Sequence, residues 1–136
     1  MEIFKADPIL HWQDLVCREF VKLRPVAGGT AGKVPAAFEF RTFWWRGQLV
    51  GEGRYWRDAD LYSWSPTERD AALAVAARAV AALGCIFPVI DLAQKESGEW
   101  IVIECNDGME SGYAAVPPIS IWQAVVDIER ARGGRE

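Results

Sequence analysis

The residues of this chain best suited to chemistry lie in two short apolar stretches, 87–93 (FPVIDLA) and 100–108 (WIVIECNDG), which Asp91, Glu104 and Asn106 interrupt. If the stretches form a hairpin about a two-residue Ser97-Gly98 turn, Glu96 faces Glu99. Asp91 then falls directly across from Glu104, with Cβ atoms about 4.5–5.5 Å apart. Asn106 lies two positions from Glu104 and so on the same face. Like charges placed opposite each other destabilise a sheet unless something compensates them. A hard divalent cation compensates well, and Mg²⁺ takes one or two carboxylates together with phosphate oxygens. Such acids can also sit on a water-screened face, but their position in mid-strand within an apolar hairpin favours the cation.

In that register Val89 faces Asn106 and Ala93 faces Val102, while Ile90–Cys105, Leu92–Ile103 and Gln94–Ile101 form the core face. A second candidate is Arg41, in residues 36–54, which read as two strands joined at Arg46-Gly47. The turn sets Glu39 against Arg54 and Arg41 against Glu52, with Phe38, Phe40, Trp44 and Leu49 on the opposite, core-like face. Arg41 is then either half of a wet cross-strand ion pair, worth at most ~1 kcal/mol, or a phosphate contact suited to its planar fork. The residues alone leave both open.

Other signals carry less. The 28–33 stretch (GGTAGK) lacks the P-loop spacing: Ala27 stands where the first glycine is needed, and Val34 follows Lys33 instead of Ser or Thr. His11 is the only histidine, so no His-based triad or two-His metal site can form. Cys17, Cys85 and Cys105 are odd in number and widely spaced, which argues against structural zinc and a disulfide framework. Two of them sit in apolar runs and read as small buried hydrophobes, with Cys105 on the core face. A net charge of −4 and the absence of a Lys/Arg run remove the footprint of a general nucleic-acid binder. Charged residues in 1–8 argue against a secretory leader, and no apolar stretch reaches the roughly 18 residues of a membrane span. The cytoplasm is the expected location.

The positioning elements follow from local signals. The length of 136 residues suits one domain over 1–136, its folded part about 14–130. Residues 14–21 (DLVCREFV) read as a strand, and 25–35, Gly-rich and bracketed by prolines, as a loop. Ser65, Pro66 and Glu68 form a capping box that opens a helix, which runs through Leu83 and stops at Gly84. Pro117-Pro118 opens a last helix to about Arg130. The expected fold is α+β: an antiparallel sheet of about five strands, one strand plus two hairpins, packed on two main helices. Trp56, Tyr62 and Trp64 in the irregular 55–64 segment read first as packing over the helix start.

Four stretches taken in order resemble the C-terminal half of an ATP-grasp domain, closest to the clade named for its arginine and two lysines. VCREFVKL (16–23) is similar to the hinge strand after which adenine sits. FEFRTFWWRGQLV (38–50) resembles the following hairpin with its Glu-x-Arg, and 87–93 with 100–108 resemble the closing hairpin that presents an Asp and then Glu-x-Asn to Mg²⁺. The resemblance implies Asp91, Glu104 and Asn106 as Mg²⁺ ligands and Arg41 as a catalytic phosphate contact. Glu19, Phe20 and Val21 would line the adenine and ribose, with Arg18 near the nucleotide. It further implies ATP as ligand and a carboxylate–amine ligase reaction through an acylphosphate, in which positioning and charge neutralisation supply most of the catalysis. In that family a preceding half contributes phosphate-binding lysines, and no stretch here matches them. Completion by an N-terminal half, a partner or self-association as a homodimer is therefore expected for activity. The alternative is a non-catalytic protein-interaction module on the same half-fold, with Trp56, Tyr62 and Trp64 as contacts.

Overall fold

The computed structural model describes residues 17–28 and 35–134. The elements run β1 (Glu39–Trp45), β2 (Gln48–Arg54), α1 (Pro66–Leu83), β3 (Pro88–Gln94), β4 (Trp100–Asp107) and α2 (Pro118–Gly133). The strands make one antiparallel sheet in the order β2-β1-β3-β4, so the two hairpins lie side by side and β1 meets β3 in the middle. The α+β reading therefore stands, with four strands among the described residues where about five were expected. Of the expected strand at 14–21, the described residues 17–21 are irregular, and Leu23 and Pro25 make only isolated bridges, to Lys95 and Ala37. The segment nonetheless runs along the sheet's end, where Arg24 N–H donates to Gln94 O and Arg24 O accepts from Phe38 N–H. His11 and Lys33 lie outside the described residues.

Each strand of the central pair sends alternate side chains to opposite faces. Phe38, Phe40, Trp44, Ile90 and Leu92 point to α1, where they bury Ala72, Ala76 and Val80. The helix can lie close because small alanines form its buried stripe, and its ends follow the expected signals. Ser65 Oγ accepts from Glu68 N–H, the Glu68 carboxylate accepts from Ser65 N–H, and Gly84 closes the helix in the left-handed region at φ 61°. On the other face, α2 covers only the half nearest the Arg46-Gly47 turn, where Ile121 and Val125, with Val116 just before the helix, pack on Phe43, Val50, Phe87 and Val89. Gly51 permits this approach, since a Cβ there would stand 2.7 Å from Ile121 Cγ1 and 2.9 Å from Val116 Cγ1.

Two bulges correct the simple hairpin registers. Arg46-Gly47 is the first turn, with both residues at positive φ, and Trp45–Gln48 and Trp44–Leu49 pair as expected. Beyond them the register shifts as β2 carries one extra residue, Val50, which joins the α2 core. Arg41 therefore faces Gly53, Glu52 faces Thr42, and the expected Arg41–Glu52 and Glu39–Arg54 pairs do not form; Glu52 binds Arg69 of α1 instead. In the second hairpin the turn is longer than two residues: Lys95 N–H donates to Glu99 O, and Gly98 takes φ 89°. That loop offsets the pairs near it, so Ala93 faces Ile101 and Leu92 faces Val102. The extra residue Ile103 then restores the expected pairs Asp91–Glu104, Ile90–Cys105 and Val89–Asn106.

Candidate functional site

The second bulge decides what the site contains. Without it Val102 and Glu104 would share a face. With it Val102 packs in the α1 core beside Leu92, while Glu104 pairs with Asp91 on the opposite face. Because β1 lies against β3 with Arg41 facing Asp91, one row crosses three strands: Arg41, Asp91, Glu104. It lies on the α2 side of the sheet, next to Phe43 and Val89 of the α2 core. Sequence reasoning pairs Arg41 within its own hairpin, and cannot find Asp91 without knowing that β1 and β3 are neighbours.

Arg41 and Asp91 form a bidentate pair: Nε donates to Oδ1 at 2.8 Å and Nη2 to Oδ2 at 2.7 Å. Both are buried, Asp91 almost completely (1% exposed). The third guanidinium nitrogen, Nη1, donates to Gly112 O at 2.7 Å, so the loop after β4 is held to the same side chain. Tyr55 closes the row from β2's end, its ring 5.0 Å from the Arg41 guanidinium carbon, and burial pushes its hydroxyl pKa up. The Asp91 hydrogen bond raises the Arg41 pKa above its ordinary value, so the guanidinium stays charged.

Glu104 is exposed, and its carboxylate makes no hydrogen bond or ion pair among the described residues. Half-buried Asn106 opens onto a cleft of about 210 Å³ that it shares with Arg41, Asp107, Glu110, Ser111 and Gly112. Met109 N–H and Ser111 Oγ–H both donate to Asp107, to its carboxylate and its carbonyl, and so shape that loop. Sequence reasoning missed these loop residues, which carry no pattern beyond following Asn106. Among the described residues no group of three or more His, Cys, Asp or Glu side chains could hold a metal. The set Asp91, Glu104 and Asn106 has only two carboxylates and an amide. It is nevertheless an all-oxygen set with an open carboxylate, which fits Mg²⁺ completed by phosphate and water and does not fit a soft ion.

Glu39 is the functional-looking residue whose burial was not foreseen. It is 5% exposed, and its Oε2 accepts from Trp56 Nε1–H at 2.9 Å. Burial, and then the Asp91 charge, raise its carboxyl from the ordinary 4.5 to about 7 against the lowering effects of Trp56 and Arg41. The signal was present: Glu39 and Arg41 alternate with aromatic residues in EFRTFWW, which puts two charges on a face of a strand buried along nearly its whole length.

The residues expected near the nucleotide divide: Arg18 lies beside the row, and Phe20 and Val21 lie toward the Lys95–Glu99 turn. Arg18 Nη1 donates to Ile103 O at 2.9 Å, at the bulge beside Glu104. Glu19 is exposed, and Phe20 is 88% exposed. Phe20 and Val21 line an apolar cleft of about 270 Å³ with Leu23, Pro25, Ala36 and Ala37. The cysteine reading is corrected: Cys17, Cys85 and Cys105 are all exposed. Cys105 faces Ile90 but lies on β4, the outer strand among the described residues, and Cys85 follows the α1 cap. Burial, followed by the Asp91 and Glu104 charges, still raises the Cys105 thiol pKa, against a nucleophilic role. Trp64 stacks on Phe40 at 3.8 Å, and Tyr62 packs on Phe38 and Phe40, so these aromatics serve the core.

No helix among the described residues is long and apolar enough to cross a membrane. No curated protein matches the chain. One solved structure it resembles is that of the macrocyclase MdnB from Microcystis aeruginosa MRC, at 19% identity and a TM-score of 0.41, covering 78% of this chain and 49% of that one. The chain thus spans about half the length of that protein. Residues 2–125 match the model of an ATP-grasp domain, family 3 of the clade named for one arginine and two lysines, and on that match the chain belongs to the ATP-grasp family.

Proposed function

We propose that this chain is the Mg²⁺-ATP-binding, C-terminal half of an ATP-grasp carboxylate–amine ligase of the arginine-plus-two-lysines clade. The observation that carries this reading is the row Arg41–Asp91–Glu104, with Asn106 beside it at an open cleft. It brings a fixed guanidinium next to carboxylate oxygens on a part of the sheet that α2 does not cover, with Glu104 exposed at its outer end. Glu104 and Asn106, joined by Asp91, would hold Mg²⁺, which when bound neutralises phosphate charge. Arg41 orients the terminal phosphate through its fork. Adenine would enter the apolar cleft at Phe20 and Val21, with Glu19 toward the ribose and Arg18 tying the segment to β4.

The reaction would be activation of a carboxylate as an acylphosphate, followed by attack of an amine. The phosphate-binding lysines would come from an N-terminal half, supplied by a partner or a second copy, in the cytoplasm. The alternative of a non-catalytic interaction module drew on Trp56, Tyr62 and Trp64, and these side chains are turned to the fold: Trp56 to Glu39, Tyr62 and Trp64 to the core. Calorimetric titration of ATP tests the reading. Binding that requires Mg²⁺ and is lost in Glu104→Ala supports it. No heat at millimolar nucleotide, in the presence of Mg²⁺, sinks it for this chain.

A further inference from the structure

We propose that, before nucleotide binds, Arg41 and Asp91 occupy each other's ligand positions and form a latch that metal and phosphate must open together. This inference rests on the reading just given. Its basis is the pairing itself. Asp91 spends both carboxylate oxygens on Arg41, at 2.8 and 2.7 Å, and Arg41 spends Nε and Nη2 on Asp91 and Nη1 on Gly112. The guanidinium supplies the positive charge that a cation would bring to the facing carboxylates of Asp91 and Glu104. The carboxylate supplies the planar pair of acceptor oxygens that a phosphate would bring to Arg41, and a guanidinium fork accepts either partner in the same geometry.

The exchange has a direction because both groups are buried. Neither can be left alone in the low-dielectric row, since a buried charge that loses its partner is strongly destabilising. A phosphate without a cation would displace Asp91 and leave it unpaired. A cation without a phosphate would meet a carboxylate already neutralised by Arg41. Loading both restores two compensated pairs, so the arrangement of the site makes metal and nucleotide binding mutually dependent.

The latch can be read without any catalytic assay. Free Mn²⁺ is followed by electron paramagnetic resonance in nucleotide-free protein, using wild type, Arg41→Gln, Arg41→Lys and Arg46→Gln. Removing a unit charge about one strand spacing away is expected to tighten Mn²⁺ binding at least about tenfold in Arg41→Gln. Arg41→Lys, which keeps a charge but gives up the fork, is expected to gain less. Arg46→Gln, at the exposed turn and paired with Glu129, is expected to match wild type. The reciprocal measurement is inorganic tripolyphosphate binding in chelator, where Asp91→Asn is expected to bind at least about tenfold more tightly. If Arg41→Gln does not fold, Arg41→Lys and Asp91→Asn carry the test.

Folded variants that gain neither Mn²⁺ nor tripolyphosphate, in a chain that binds Mg²⁺-ATP, overturn the latch and leave the functional reading intact. Failure of every form to bind metal, polyphosphate or Mg²⁺-ATP overturns both.

Discussion

Glu39 offers a quantitative test of the row's electrostatics that needs no ligand. Its carboxyl rises from the ordinary 4.5 to about 7, first through burial and then through Asp91. The folded state thus holds a proton that the unfolded chain releases at lower pH. Stability from this group is fully present below pH 4.5, is lost as pH rises, and is gone above about 7. At about 1.4 kcal/mol per pH unit, the interval is worth about 3 kcal/mol, or roughly 10 °C of melting temperature for a domain of this size. Glu39→Gln keeps the acceptor for Trp56 Nε1 and cannot ionise. Urea titrations of both proteins in chelator, from about pH 4 to 8, are therefore expected to give similar stabilities at the acid end. At about pH 8 the variant should exceed wild type by up to about 3 kcal/mol. A difference that stays constant with pH, or grows toward acid, would refute the placement of Glu39 as a buried carboxyl beside Asp91.

Two further outcomes follow from the scaffold. Gly51→Ala is expected to cost about 1–3 kcal/mol by forcing α2 away from β2, seen as a lower denaturation midpoint, because its Cβ would meet Ile121 at 2.7 Å. Ser65→Ala removes one half of the capping box of α1 and is expected to cost about 1 kcal/mol in the same titration, with little effect on any ligand bound at the row.

The capping box, Gly84, Pro117-Pro118, the Arg46-Gly47 turn and the apolar stretches flanking Ser97-Gly98 are local signals, and they located both helices and four strands to within a few residues. Asp91 opposite Glu104 was legible as well, but only by a balance of errors. The Ser97-Gly98 turn was taken as too short, and the Ile103 bulge offsets that error from Glu104 onward. What local patterns cannot carry is which hairpin edges meet. The β1–β3 contact gives Arg41 its partner, and the Val50 bulge removes the one expected from its own hairpin. The strand read into 14–21 shows the limit of propensity. Residues such as Val21 favour extended backbone, but over 17–21 this segment makes side-chain contacts, such as Arg18 to Ile103, and no continuous ladder. Cys105 was misjudged because apolar surroundings in sequence do not reveal that β4 is the outer strand among the described residues.

The central claim is that Asp91, Glu104 and Asn106 hold the metal of a bound nucleotide. Its most direct test is two-dimensional NMR of the isotope-labelled chain with ATP, adding Mn²⁺ in place of Mg²⁺ at substoichiometric amounts. Amide signals of Asp91, Glu104 and Asn106 and of the neighbouring loop to Gly112 are expected to broaden first, and Glu104→Ala should abolish the effect. Broadening centred elsewhere, or surviving in Glu104→Ala, would contradict the assignment of the site.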